Sequence, residues 1–444
     1  MRAGLSPYRQ ILDFNMPGAY WSEFAGMTLF GNSDLSWRLY DLAILSVLTL
    51  SAISVTSSCD WLAGLYAGIL FALIHGSEGP RVAAERDEVM TMLVMLSYAL
   101  VFLGIRYRRS SIFFGAALAF ALGVTLKPTA AVFGLVLGFV ALHQLRRQKV
   151  SLIPYIREIC LATVLVAFGV LAFLLWRVSF TAFLQLMPLG RFYTNMGKPT
   201  FGYMLHYSTP RGMVFLLPLT TLLFFLNRSW ENWKIRAVLG GVICGLVSYF
   251  VQSKGFGYHR YPFVAFALVW SGLEYFTAIR KGKINAFIGM AGILTGALLV
   301  APFYLHRVPT DVGSNDRTTE GIVTDLASYR AGELQNSVQC LDGLDGCYSA
   351  LYRLQLKQST GLMGDQLLFS VRSDPSVDAF RNTFLHNMQN APPKVIIETK
   401  YRFGDLQTLD KIDAWPAFAS FLQQNYRIAY QRDALGYRIY SRLY

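Results

Sequence analysis

Residues 62–104 read LAGLYAGILFALIHG, then SEGPRVAAERDE, then VMTMLVMLSYALVFLG. Two runs apolar enough for hydrocarbon flank a gap that packs Glu78, Arg81, Glu85, Arg86, Asp87 and Glu88 into eleven residues. Ionisable side chains are costly at bilayer depth, so a charged gap between two such runs marks a membrane surface, and its charges call for a use. The same alternation continues through most of the chain. Of 444 residues, 54% are hydrophobic and 15% charged, against about 25% charged in a soluble domain.

A membrane-crossing helix needs about 20 mostly apolar residues. Ten candidates stand near 38–58, 61–78, 89–105, 111–126, 129–145, 157–178, 211–227, 233–252, 260–278 and 284–304. The split between 111–126 and 129–145 rests on Lys127-Pro128, because proline removes a backbone donor and a mid-span lysine is unfavourable in lipid. The expected organisation is a first extracytoplasmic loop over 1–37, a transmembrane domain over 38–305 and a soluble extracytoplasmic domain over 306–444. The fold class is thus an α-helical polytopic membrane protein of about ten transmembrane helices with a small C-terminal α/β domain.

Lysine and arginine in short loops set orientation. One set of loops, RYRRS, RRQKVSLIPYIRE, NRSWENWKIR and AIRKGK, holds thirteen basic residues; the alternate gaps hold seven: Arg81, Arg86, Lys127, Arg191, Lys198, Lys254 and Arg260. The first set is therefore expected in the cytoplasm, with both termini outside. An outside segment 1–37 with no export signal before it means either that the first hydrophobic run inserts with its amino end outside or that a further helix lies upstream, the second being the expectation. The net charge of +13 comes largely from those topology-setting loops, which face anionic lipid, so nucleic acid is not an expected partner. A bacterial inner membrane, with the tail on its periplasmic side, is the expected location.

The unusual polar residues gather at the outside ends of the helices. Asp13 lies among aromatics in SPYRQILDFNMPGAYWSEF; ERDE supplies Arg86, Asp87 and Glu88; Lys127 follows at the next turn. The loop 179–210 adds Arg191, Tyr193, Lys198, Tyr203 and His206, and QSKGFGYHRYP adds Lys254, Tyr258, His259 and Arg260. Carboxylates and cations converging with aromatics suit an anionic, sugar-like ligand at the membrane surface. Glycosyl transfer from a lipid-phosphate sugar fits such a set. Its leaving group is a phosphate that Lys and Arg can stabilise, and the incoming hydroxyl is served by one carboxylate base. A glycosidase would instead require two carboxyl groups at a defined separation.

These residues also carry a resemblance. The run SPYRQILDFNMPGAYWSEFAGMTLFGNSDLSWRLYDL resembles the first outside loop of the GT-C membrane glycosyltransferases, the group of the protein O-mannosyltransferases and the lipid A aminoarabinose transferase. ERDEVM resembles their arginine-aspartate motif, LKPTA their Lys-Pro turn and QSKGFGYHRYP their late outside loop. The resemblance covers residues 5–305. No second acid adjoins Asp13, as one does in the mannosyltransferase branch, so the aminoarabinose-transferase side fits better.

The resemblance implies catalytic roles for Asp13, as the base that activates the acceptor, and Asp87, which would orient substrate or a cation. Arg86, Glu88, Lys127, Arg191, Tyr203, Lys254, Tyr258 and His259 would bind substrate. It implies a polyprenyl-phosphate sugar donor, a glycan, lipid or protein acceptor in the cell envelope, and no required cofactor or metal, although Asp87 and Glu88 could hold a divalent cation. Structural readings stand beside these. Asp13 suits a turn with FNMPG, Asp87 suits the cap of a helix beginning at Val89, Lys254 could snorkel to the interface, and Lys127 could anchor a helix end.

A transporter or lipid flippase is the rival reading, although transporters place ionisable groups near the bilayer midplane. A ligand sensor is a third and a ligase moving whole glycans a fourth.

In the tail, GIVTDLASYRAGEL, SVDAFRNTFLHNMQNA and WPAFASFLQQN have helical spacing, and KVIIET, YRIAYQ and GYRIYSR read as strands, the last two forming a hairpin with Gly436 near the bend. Cys340 and Cys347 are expected to form a disulfide in an oxidising compartment.

Overall fold

A computed structural model describes residues 5–176, 180–330, 332–343, 346–370, 372, 374–400 and 409–444. The chain divides into two compact units. The larger, residues 16–173 and 199–311, is helical. The smaller, residues 1–15, 174–198 and 312–444, holds the sheet. These boundaries differ from those read in the sequence, because residues 1–15 and 174–198 pack with the tail rather than with the helices that flank them.

The helical unit contains α1 (Pro17–Phe30), α2 (Asp34–Thr56), α3 (Trp61–Ser77), α4 (Arg86–Tyr107), α5 (Ser110–Leu126), α6 (Ala131–Arg147) and α7 (Ile153–Trp176). After α8 (Phe180–Asn195) of the smaller unit come α9 (Phe201–Ser208), α10 (Met213–Leu226), α11 (Trp233–Gln252), α12 (Tyr261–Lys281) and α13 (Lys283–Thr295), then α14 (Ala301–Leu326). Helices dominate because a backbone in hydrocarbon must satisfy its own hydrogen bonds. Among the described residues, seven helices are long and apolar enough to cross a membrane, or eight if the bent α9–α10 pair counts as one span. α3 and α5 are apolar but have 17 residues each. At about 1.5 Å per residue, that length falls short of a 30 Å hydrocarbon core. Each of the ten sequence candidates holds a helix among its described residues.

α12 is the axis of this unit. Every residue from Tyr261 to Tyr275 is buried, whereas α7 turns most of its surface outward, as a lipid-facing helix does. Close approach to the axis depends on small residues. A Cβ on Gly245 of α11 would lie 2.5 Å from the Cα of Phe263, and one on Gly272 would lie 2.5 Å from the carbonyl oxygen of Ala63 in α3. The break at Lys127-Pro128 is real: α5 ends at Leu126, Lys127 is extended, and α6 begins after one tight turn. The helices alternate in direction. The ends carrying Glu78, Asp87, Lys127, Gln252 and His259 therefore form one set, and the basic loops form the other.

The smaller unit holds β1 (Val338–Leu341), β2 (Val395–Thr399), β3 (Tyr426–Arg432) and β4 (Tyr437–Arg442), with α15 (Cys347–Arg353), α16 (Pro375–Asn390) and α17 (Pro416–Asn425). The sheet order is β1-β2-β4-β3, with β1 parallel to β2 and the other pairs antiparallel. Both faces are covered. Val395, Ile397, Tyr437 and Ile439 pack on Ile322 and Leu326, while Ile396 and Tyr440 pack on Phe384, Trp415 and Phe418. The hairpin turns at Gly436, whose φ of 74° suits glycine. Cys340 and Cys347 are joined in a disulfide. The loop 179–210 folds as α8 and α9, and β1 lay unread in the sequence because four buried residues give no alternation to detect.

Glu398 on β2 is fully buried and accepts a hydrogen bond from the Tyr440 hydroxyl at 2.8 Å. Burial pushes its carboxyl up to about 7, with Lys411 opposing. The folded state then binds a proton that the unfolded chain releases near pH 4.5, so stability is full below that pH and falls as pH rises through 7. The loss is at most about 3 kcal/mol. Amide hydrogen exchange at β2, corrected for intrinsic rates, should show protection falling from pH 5 to pH 8 in the natural protein and staying level in Glu398→Gln.

Candidate functional site

The site is built where four elements of the helical unit end. Glu85 caps α4, its side chain accepting from the Arg86 amide at 3.1 Å. The helix thus starts three residues earlier than Val89, and Asp87 lies in its first turn instead of capping it. Successive helical residues point about 100° apart, so Asp87 and Glu88 face different neighbours.

Asp87 is fully buried. Its Oδ2 is ion-paired with the Lys127 ammonium, and its Oδ1 accepts from Gln252 Nε2 at 3.2 Å. The Gln252 Oε1 accepts from Lys127 at 2.6 Å, which closes a three-membered ring of polar contacts. His259 Nε2 stands 4.0 Å from Asp87 Oδ2. The His259 Nδ1 is buried, with no hydrogen-bond partner among the described residues. The positive field of Lys127, Arg86 and Lys254 reaches this imidazole, and Tyr258 lies edge-on to it, with ring centroids 4.7 Å apart. Lys127 lies 6.0 Å from the centre of the Tyr258 ring. Arg260 donates to Glu78 at 2.7 Å and to the Tyr207 carbonyl at 2.9 Å, tying the turn before α12 to the end of α3.

Asp87, Lys127, Tyr258 and His259 thus come together as the sequence suggested. Gln252 was not among the predicted residues, although it opens the QSKGFGYHRYP motif at the last position of α11. Arg86 remains partly exposed, 3.5 Å from Glu85. Lys254 follows Ser253, whose φ is 52°, in the turn that leaves α11. Tyr203 is exposed on α9, its ring 4.3 Å from that of Tyr207. Glu88 departs from its expected place. It points away from the Lys127 ring toward His75 and Asp41, two residues the sequence reading passed over.

Asp13 and Arg191 belong to the smaller unit. Asp13 accepts from the Asn15 amide at 3.3 Å and from its side-chain nitrogen at 2.5 Å, the local turn that DFN permits. The carboxylate borders a shallow hollow formed with Leu186, Leu189, Gln366 and Phe380. Arg191 is exposed on α8.

Comparison with known proteins follows this geometry. Residues 15–176 match the dolichyl-phosphate-mannose-protein mannosyltransferase family. That span contains Arg86, Asp87, Glu88 and Lys127 and begins after Asp13. Among solved structures, ArnT from Cupriavidus metallidurans bound to undecaprenyl phosphate is similar, with a TM-score of 0.51 and 15% identity over 96% of this chain and 87% of that one. The same enzyme in its apo state gives 0.48 and 15% over 97% and 88%. No curated protein sequence matches significantly. The GT-C resemblance read from the sequence is therefore met twice, by a glycosyltransferase family over the first third of the chain and by the fold over nearly all of it.

Lys127 and Asp87 offset each other in a buried setting, and removing one partner of such a pair costs about 3–5 kcal/mol. Lys127→Ala should therefore lower the melting temperature of the detergent-solubilised protein sharply. Adding Asp87→Ala to it should restore part of the loss, which a double-mutant cycle of thermal melts would read.

Proposed function

We propose that the chain is a membrane glycosyltransferase. It moves a sugar from a polyprenyl-phosphate carrier to an acceptor on the extracytoplasmic, in bacteria periplasmic, face of the membrane. The observation that carries this reading is the buried Asp87–Lys127–Gln252 ring beside His259, whose Nδ1 has no hydrogen-bond partner among the described residues, at the helix ends away from the basic loops. The family match over Asp87 and Lys127 and the fold of ArnT support it.

Transfer breaks the bond between the sugar's anomeric carbon and the phosphate oxygen and forms one to the acceptor oxygen. The departing polyprenyl phosphate gains negative charge, so fixed donors aimed at it lower the barrier. Lys127, Lys254 and His259 supply cationic or N–H groups for that role. Asp87 is too deeply buried to take a proton from an acceptor; it holds Lys127 and Gln252 in place and is a positioning residue. The acceptor proton calls for a carboxylate base, a role that the motif resemblance assigns to Asp13, and the ring of Tyr258 offers a face for the sugar. The apolar flanks of the helical unit accommodate the prenyl chain.

The test is incubation of purified protein with a panel of polyprenyl-phosphate sugars and assay for the sugar-free carrier. One donor should be consumed. Asp13→Asn should slow consumption at least about 100-fold, the scale of general-base catalysis, while membrane insertion survives. Gln252→Ala should slow turnover with little change in donor affinity. Absence of carrier release from every donor, or full activity in Asp13→Asn, would contradict the reading. Carrier movement across vesicles without hydrolysis or transfer would favour a flippase.

A further inference from the structure

Asp41 of α2, His75 of α3 and Glu88 of α4 converge at the same helix ends as Asp87 but on the other side of α4. His75 and Glu88 are buried and Asp41 nearly so. His75 Nε2 stands 3.0 Å from Asp41 Oδ1 and 3.6 Å from Glu88 Oε2. One donor atom from each residue lies within 4.8 Å of the other two.

Both oxygens of Glu88 are fully buried, and their polar neighbours are the Asp41 carboxylate, the Ala84 amide and His75 Nε2 at 3.6 Å. A buried carboxylate with only one imidazole near it to offset its charge is among the costliest groups a structure can hold. On its open side it meets the carboxylate of Asp41, itself an acceptor, which is already engaged by the Ala84 amide at 2.8 Å. Acceptors that face one another in a buried setting need a positive centre between them, either a proton or a cation.

The third group, whose Nε2 is also within hydrogen-bond distance of Asp41, adds a metal-binding nitrogen. Imidazole nitrogen and carboxylate oxygen bind zinc at about 2.0–2.2 Å. Two donors on one tetrahedral ion therefore stand about 3.4 Å apart, and the two distances from His75 bracket that value. The other ring nitrogen, Nδ1, is 2.9 Å from the Tyr261 hydroxyl. A hydrogen bond there fixes the ring and leaves Nε2 to face both acids, the support that a metal-bound histidine ordinarily has. Two carboxylates neutralise a divalent charge in an apolar setting. A nitrogen ligand and a small donor set favour a first-row ion over calcium or magnesium.

We propose that Asp41, His75 and Glu88 bind one divalent first-row metal ion, of the zinc class, that clamps the first turn of α4 to α2 and α3. The ion would fix the backbone next to Asp87 whatever reaction that residue serves, so the proposal stands apart from the transferase reading.

The test is zinc binding to the purified, chelator-stripped full-length protein, measured as metal content after equilibrium dialysis. About one equivalent per chain is expected. Glu88→Gln and His75→Asn should each weaken binding at least about 10-fold, while Asp60→Asn, at the opposite helix ends, should leave it unchanged. Cobalt titration of the unaltered protein gives a second readout independent of variant folding, since visible d–d absorption reports low-symmetry nitrogen and oxygen coordination. No zinc retained by the natural protein, or retention undiminished when Glu88→Gln and His75→Asn are combined, would overturn the proposal. The first outcome would leave a shared proton between Asp41 and Glu88; the second would place the ion elsewhere.

Discussion

A carboxylate and an ammonium buried together at a membrane boundary organise the helical unit. Asp87 comes from α4, Lys127 from the extended break between α5 and α6, and Gln252 from α11, so their contacts close only when these three reach one register. Taken singly, each charge would be unfavourable at that depth. Taken together they tie α4, the α5–α6 break and α11 to one another beside His259. The interaction is weak evidence for stability as such, because desolvation offsets most of the attraction in a buried pair. Its consequence is geometric, since it fixes where cationic donors stand relative to one another.

The packing behind the site makes that register possible. α12 runs through the middle of the unit with every residue from Tyr261 to Tyr275 buried. Glycines at 245 and 272 let α11 and α3 approach its backbone. α12 begins immediately after His259 and Arg260, so the rigid axis also carries the site's histidine. The Arg260–Glu78 pair joins the start of α12 to the end of α3. The two acidic residues of ERDE then serve two sides of one helix, Asp87 toward Lys127 and Glu88 toward His75.

Much of this was legible in the sequence, for identifiable reasons. Apolar runs marked ten segments that each hold a helix, seven or eight of which are long enough to span, because hydrocarbon allows a chain few alternatives. Lys127-Pro128 gave the break between α5 and α6, because proline cannot continue a ladder of backbone hydrogen bonds. Asp87, Lys127 and His259 stood out as ionisable groups at apolar borders. Gln252 was harder to see, since a neutral amide at a helix end looks like any interfacial residue until its two partners are known. Asp41 and His75 were missed because each sits alone within an apolar run, and their meeting depends on how three helices pack. The start of α4 was placed at Val89 because charge was taken as loop, whereas Glu85 caps the helix and draws Asp87 and Glu88 into its first turn. The assignment of Asp13 drew on position in a motif, and its contacts within DFN are those of a local turn.

The most direct measurement of the central claim is an experimental structure of the full-length protein with undecaprenyl phosphate. The account predicts the phosphate at the Lys127 end of the helical unit, within hydrogen-bond reach of His259 Nδ1, with the Asp87–Lys127–Gln252 ring intact beneath it. A phosphate seated among the basic loops at the opposite helix ends, with His259 left untouched, would contradict it.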